Sequence, residues 1–373
     1  MSSRRLAVVV SLALLWTGAV SNAALAADND DPYHVGETSR LFHPEVARNW
    51  RGAATEGLVT QIWYPVYRGT PESRRDIGLA DRQFFRAHPA ADDAPLSASH
   101  AKYPLLLLSH GTGGSAGSLD WLASALAANG YIVAAVNHPG NNALEPLTQD
   151  GFMLWWERAT DVSEVLDGVL ADPVLGAHID RDRIGAVGFS LGGYTILELA
   201  GARTNLPAFR NFCSSPVADA TCRPPERKRL NDDHVPVSFT PEATASMARA
   251  GASYRDERIK AVVAIAPALG EAFDNASFAN VDIPVLLLGG TADVTVPVQT
   301  NIHRIAGLMP NAQVIMVPGA SHYTFVDTCL PAMAKRFANL CEDGPGVDRD
   351  AVHALAIERS LHFFMTTLLA RSS

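Results

Sequence analysis

The sequence Gly188-Phe189-Ser190-Leu191-Gly192 places a serine at the centre of a five-residue motif that has a glycine at each end. Residues 183–187 before it are typical of a short buried strand, and residues 193–200 after it are typical of a helix. A serine between a strand and a helix lies on a sharp turn, which directs its hydroxyl out of the sheet edge toward a cleft. Ser190 is therefore a candidate nucleophile. It needs a neighbouring base, because an unassisted serine hydroxyl is a weak nucleophile.

Asp293 and His322 are the candidate partners of that serine. Each follows a predicted strand, over residues 283–290 and 312–317, and such strand ends meet at one edge of an open α/β sheet. The order Ser, Asp, His suits a histidine that takes the serine proton and an aspartate that orients the imidazole. The alternative for Asp293 is an ordinary turn or helix N-cap residue, since a helix is predicted to begin near Pro297.

A glycine-rich loop, His110-Gly111-Thr112-Gly113-Gly114, follows an apolar run at residues 104–109 that is typical of a central buried strand. Glycines allow the backbone to direct an N–H group toward a developing oxyanion. We expect the donors to be the N–H groups of Thr112 and Leu191, with Gly113 as the alternative to Thr112. The loop lacks the G-x-x-x-x-G-K-S/T pattern of a phosphate-binding loop, which disfavours phosphate binding. We interpret His110 as a structural anchor of the loop rather than as a catalytic residue.

Strands and helices alternate along most of the chain, which predicts a single α/β domain.

Phe189, Trp155 and Trp156 are candidates to line a substrate pocket, although tryptophans at helical spacing also fit plain core packing. Residues 202–254 break the alternation and are rich in Pro, Asn, Arg and Asp, so we interpret them as a cap inserted over the site; the alternative is a polar surface excursion. The other predicted strands are 58–64, 131–136 and 260–266, and the predicted helices are 119–129, 155–170 and 351–369.

The N-terminus has the pattern of an export signal. Arg4 and Arg5 precede an apolar run at residues 6–20, and Ala24-Leu25-Ala26 has the form of a cleavage site. We therefore predict a signal peptide at residues 1–26 and a mature chain, 27–373, in the periplasm or outside the cell. The apolar run is short for a membrane span, and there is no cysteine near the cleavage point that could carry a lipid anchor. We therefore expect no membrane anchor in the mature chain.

The four cysteines fit an oxidising compartment. Three pairings are possible, and we favour the two local ones, because each closes a loop within one segment. The chain lacks C-x-x-C and H-E-x-x-H spacing, so neither a metal site nor a cofactor is predicted. A formal charge of −9 disfavours a nucleic-acid partner, and nothing in the sequence determines the oligomeric state. The favoured pairs are Cys213 with Cys222 and Cys329 with Cys341.

The chain resembles the α/β-hydrolase superfamily, and within it the bacterial dienelactone-hydrolase-like and platelet-activating-factor-acetylhydrolase-like serine esterases. The resemblance implies a mostly parallel central sheet with helices on both faces and hydrolysis through an acyl-enzyme. Dienelactone hydrolases themselves carry a cysteine nucleophile where this chain has Ser190, which favours ordinary carboxylic esters. The motifs that carry the resemblance are Ser109 to Gly114, Val136 to Asn141, Gly188 to Gly193, Gly289 to Pro297, Gly319 to His322 and Trp63-Tyr64-Pro65.

These features predict a secreted serine hydrolase that cleaves small or short-acyl carboxylic esters. Two alternatives stay open. The first is a peptidase, amidase or polyester hydrolase of the same fold. The second is a noncatalytic binding protein of that fold, which the presence of all three candidate residues and the glycine loop disfavours.

Overall fold

The computed structural model describes residues 33–44, 48–79, 81–230 and 240–369. The predicted signal peptide lies outside these residues, as do residues 231–239 of the predicted cap. No helix within the described ranges is long and apolar enough to cross a membrane.

Among the described residues, nine strands form one sheet, with the strand order β11-β10-β9-β8-β6-β7-β2-β1-β5. The six strands from β11 to β7 are parallel, whereas β2 pairs antiparallel with both β7 and β1. Strands β3 and β4 form a separate hairpin. The strands are β1 His34–Phe42, β2 Leu58–Val66, β3 Ile77–Leu79, β4 Arg82–Phe85, β5 Ala91–Asp92, β6 Tyr103–Ser109, β7 Ile132–Val136, β8 Ile179–Phe189, β9 Ile259–Ile265, β10 Val285–Gly290 and β11 Gln313–Val317.

Helices cover both faces of the sheet, which explains why its central strands are apolar without alternation. Every residue of β6 is buried. Leu105 and Leu107 pack in the core on one face, and Leu106 and Leu108 pack in the core on the other. The helices are α1 Asp120–Ala128, α2 Gln149–Met153, α3 Glu157–Ala171, α4 Leu191–Ala200, α5 Leu206–Cys213, α6 Pro241–Ala248, α7 Ile302–Leu308, α8 Pro331–Arg336, α9 Ala338–Cys341 and α10 Arg349–Phe364.

The predicted α/β-hydrolase architecture is confirmed, with differences at particular elements. The helix expected near Pro297 begins only at Ile302, because turns occupy residues 294–301 and the Asn301 side chain bonds the Pro297 carbonyl. Trp155 and Trp156 precede α3 rather than belonging to it. The last helix begins at Arg349 and ends at Phe364, before a π-helical turn.

The described parts of the 202–254 segment lie between α4 and β9 and contain α5 and α6. Cys213 and Cys222 form a disulfide within this segment, with an S–S distance of 2.00 Å. Cys329 and Cys341 form a second disulfide, with an S–S distance of 2.01 Å, after the segment that carries His322. Both disulfides join the residues favoured by the sequence.

Candidate active site

Ser190 lies on a strained turn between β8 and α4. Its backbone has φ 56° and ψ −118°, a combination that a residue with a Cβ atom rarely adopts. The chain around it is crowded: a Cβ at Gly192 would lie 1.8 Å from the Ser109 carbonyl oxygen, and one at Gly188 would lie 2.1 Å from the Gly192 carbonyl oxygen. Only glycine fits at these two positions, so the glycines allow the turn that holds the serine at the end of the sheet.

His322 and Asp293 lie beside this serine in a hydrogen-bonded chain. The Nε2 atom of His322 is 2.9 Å from Ser190 Oγ, and its Nδ1 atom is 2.7 Å from Asp293 Oδ2. The other Asp293 oxygen accepts a 2.7 Å hydrogen bond from the Val296 N–H, which fixes the orientation of the carboxylate. This arrangement can move a proton from the serine to the imidazole while the carboxylate holds the ring.

Three separate strand ends bring these side chains together. Ser190 follows β8, Asp293 follows β10, and His322 begins a short 3₁₀ turn after β11. The Phe189 ring packs against the His322 imidazole, with 4.8 Å between ring centroids. Ser190 is 7% exposed and His322 is 3% exposed, so both side chains are largely shielded from solvent.

The glycine-rich loop passes close to Ser190. A Cβ at Gly111 would lie 3.1 Å from the Ser190 Cβ. The Gly113 N–H is already used, since it donates to Asn141 Oδ1 at 2.7 Å. The Thr112 N–H has no hydrogen-bond partner among the described residues, and the Leu191 N–H begins a helix and so has no partner within it. The geometry therefore favours Thr112 over Gly113 as the partner of Leu191 in an oxyanion hole.

A second serine–histidine–aspartate chain lies beneath the loop. His138 Nε2 is 2.9 Å from Ser109 Oγ, and His138 Nδ1 is 2.8 Å from Asp161 Oδ2. All three residues are fully buried, so a substrate cannot reach this serine. Burial and the nearby Arg158 guanidinium lower the pKa of His138 to about 3, which leaves the imidazole neutral. We interpret this chain as structural.

Arginines surround that buried aspartate. Arg48 and Arg51 donate to Asp161 at 2.6 and 2.7 Å. Burial alone would raise the pKa of the Asp161 carboxyl, but these guanidiniums outweigh it and hold the pKa well below its usual range. We call Arg48, Arg51, His138, Arg158 and Asp161 the buried arginine network.

Arg158 connects this network to the glycine-rich loop. Its Nη2 donates to the His110 carbonyl oxygen at the start of the loop, and burial lowers its pKa to about 9. The sequence analysis did not predict this network, although two sequence features point to three of its members. His138 lies in one of the motifs that carry the family resemblance, and Arg158 and Asp161 are three residues apart on α3.

The two tryptophans differ from Phe189 in their surroundings. Trp156 is 1% exposed in the core, and its indole N–H donates to Ser246 Oγ at 3.0 Å. Trp155 packs edge-to-face against Trp156 and Phe209, at centroid distances of 5.5 and 5.7 Å. These contacts favour core packing for the tryptophans, whereas Phe189 lies beside the serine and the histidine.

Comparisons with known proteins found partial sequence matches to two curated relatives. A 32% identical match to Lipase 1 of Moraxella sp. (strain TA144) covers 24% of this chain and 25% of the lipase. A 26% identical match to the platelet-activating factor acetylhydrolase of Cavia porcellus covers 30% of this chain and 34% of the acetylhydrolase. The chain thus spans only about a quarter to a third of the length of these relatives.

The solved structure of a ferulic acid esterase from Streptomyces cinnamoneus shares the fold. It has a TM-score of 0.58 and 19% identity, and the match covers 94% of both chains. The profile of the alpha/beta hydrolase family matches residues 105–339, well over half of the chain, and includes Ser190, Asp293 and His322. This chain belongs to the alpha/beta hydrolase family.

Proposed function

We propose that the protein is a serine hydrolase of small or short-acyl carboxylic esters that works through an acyl-enzyme. The observation that carries the proposal is the hydrogen-bonded chain from Ser190 Oγ through the His322 ring to the Asp293 carboxylate, beginning at a strained serine. The chain of Ser109, His138 and Asp161 has equivalent atoms within hydrogen-bonding distance. It lacks the strained turn, and its serine is fully buried.

The reaction begins when Ser190 Oγ attacks the ester carbonyl carbon and His322 Nε2 takes the hydroxyl proton. Asp293 keeps the imidazole in the required tautomer and stabilises the imidazolium. The N–H groups of Thr112 and Leu191 bind the oxyanion, each contributing about 3–4 kcal/mol to transition-state stabilisation. His322 returns the proton to the departing alcohol, and a water that it activates then releases the acid from Ser190.

The insertion at 202–254 is proposed as a cap that shapes the substrate site. Glu226, in the insertion, accepts a 3.1 Å hydrogen bond from the Tyr323 hydroxyl, and Tyr323 is the neighbour of His322. Replacing Cys213 and Cys222 by serine loosens this segment, so we expect a changed KM or acyl preference with unchanged turnover of a small ester. The proposal includes export after cleavage near Ala26, which the two disulfides support.

The test compares Ser190 with Ser109, the serines of the two serine–histidine–aspartate chains. Ser190→Ala should lower hydrolysis of p-nitrophenyl acetate by several orders of magnitude and abolish labelling by a fluorophosphonate. The matched variant Ser109→Ala should still be labelled, with the adduct mapped to Ser190. Circular dichroism spectra should show that both variants fold.

Labelling at Ser109, or wild-type turnover in Ser190→Ala, would contradict the mechanism.

A panel of p-nitrophenyl esters of increasing acyl length, with a p-nitroanilide for comparison, measures the substrate class. We expect the highest kcat/KM for short acyl groups and little cleavage of the anilide.

A further inference from the structure

A cluster of one histidine and two aspartates lies outside the candidate active site. His88 lies between β4 and β5, Asp120 is the first residue of α1, and Asp327 follows the turn that carries His322. His88 Nδ1 is 3.0 Å from Asp120 Oδ2. One nitrogen or oxygen atom from each of the three residues lies within 4.8 Å of the other two.

The two carboxylates differ in how their oxygens are satisfied. Asp120 Oδ1 accepts from the Trp63 indole N–H, and Asp120 Oδ2 accepts from the His88 backbone N–H. Asp327 Oδ1 accepts a 3.2 Å hydrogen bond from the Trp121 N–H. Asp327 Oδ2 is buried and has no hydrogen-bond partner among the described residues, and the residue is 1% exposed. An unsatisfied carboxylate oxygen beside a second acid is costly, because both burial and the neighbouring charge oppose ionisation.

We propose that His88, Asp120 and Asp327 bind a divalent transition-metal ion of the Zn²⁺ type. The unpartnered Asp327 oxygen supplies one ligand, and the ion's charge offsets the repulsion between the two carboxylates. An imidazole nitrogen with two carboxylate oxygens suits Zn²⁺ better than Ca²⁺ or Mg²⁺, which prefer oxygen ligands alone.

The separation of the His88 and Asp120 ligand atoms is compatible with this ion, and an Asp327 oxygen lies within 4.8 Å of both. Ligand atoms around a tetrahedral zinc ion lie roughly 3.3 Å apart, given metal–ligand distances near 2.0–2.1 Å. The His88 nitrogen and the Asp120 oxygen are already close to that separation. The His88 side chain is 50% exposed, so it can adjust, and a water can complete the coordination from the solvent side.

Such an ion would join three segments that are distant in sequence and stabilise the one that carries His322. The Asp327 N–H donates to the Ser118 carbonyl, and the Trp121 indole N–H donates to the Phe325 carbonyl at the end of the 3₁₀ turn. The sequence indicated no metal site because residues 88, 120 and 327 form no local spacing motif.

The experiment uses the tag-free mature protein after dialysis against a chelator. Isothermal titration calorimetry with ZnCl₂ should show one site per chain, and saturating Zn²⁺ should raise Tm, because an ion that binds only the folded state stabilises it. CaCl₂ should give no comparable binding. Asp327→Asn and His88→Ala should each weaken Zn²⁺ binding by about 100-fold or more and remove the Tm increase, since even substitutions next to metal ligands cost about 10–100-fold.

The control variant is His303→Ala, which removes an exposed histidine outside the cluster and should leave Zn²⁺ affinity unchanged. Absence of binding to the wild type would overturn the proposal. Equal Zn²⁺ affinity in the wild type, Asp327→Asn and His88→Ala would also overturn it. A more stable metal-free Asp327→Asn, combined with no Zn²⁺ binding to the wild type, would show that the two carboxylates share a proton instead.

Discussion

The Asp161→Asn substitution tests whether the buried arginine network holds the glycine-rich loop in place. Asp161 is fully buried and accepts hydrogen bonds from Arg48, Arg51 and His138 at 2.6, 2.7 and 2.8 Å. Its lowered pKa makes it the anionic partner of two guanidiniums at neutral pH. An asparagine keeps the shape of the side chain but removes its charge, so the guanidiniums lose their shared counter-ion.

The expected cost follows from that burial. Removing one member of a buried ion pair destabilises a protein by about 3–5 kcal/mol, because the remaining charge is left uncompensated. At about 2.1 cal/mol/K per residue, unfolding of this 373-residue chain has an entropy of roughly 0.8 kcal/mol/K. The loss therefore corresponds to a decrease in Tm of about 4–6 °C.

The assay pairs this variant with Asp167→Asn on the same helix. Asp167 bonds Arg258 at the surface, and its side chain is 65% exposed, so its loss should change stability by less than about 1 kcal/mol. Urea unfolding at pH 7 measures both variants. Turnover of p-nitrophenyl acetate should fall by up to about 100-fold in Asp161→Asn alone, because a displaced loop misplaces the oxyanion donors. Equal stability and equal turnover of the two variants would refute the role assigned to the network.

Three further predictions concern pH, a disulfide and the insertion. Because the folded pKa of His138 is about 3 and an unfolded histidine titrates near 6.5, the unfolded state binds more protons between these values. Titration of His138 should therefore lower the free energy of unfolding by up to about 1.4 kcal/mol per pH unit as pH falls below 6.5. Urea unfolding at pH 7, 5.5 and 4.5 should show that the free energy of unfolding depends less steeply on pH in His138→Gln than in the wild type. Replacing both Cys329 and Cys341 by serine should cost about 2–3 kcal/mol by opening a short loop, and an unchanged calorimetric Tm would contradict this. Tyr323→Phe removes the hydrogen bond to Glu226 and should raise KM about two- to fivefold with kcat preserved; an altered kcat at constant KM would argue against it.

The sequence by itself determined the features that depend on local backbone geometry and local burial. The spacing of Gly188, Ser190 and Gly192 specifies the strained turn, because a Cβ at either glycine would overlap the backbone. The apolar run in β6 specifies a strand buried on both faces. Since such strands end at one edge of a sheet, the placement of Asp293 and His322 near that edge was also predictable.

Only the tertiary structure decided which polar groups meet across long sequence separations. The Gly113 N–H is taken by Asn141, 28 residues away, and this contact distinguishes it from Thr112. Asp161 is separated from Arg51 by 110 residues, and Asp327 is separated from Trp121 by 206. Such pairs carry no local spacing signal. They form because strands and helices specified by their apolar residues bring a few polar groups into the interior, where each must find a partner or remain costly to bury.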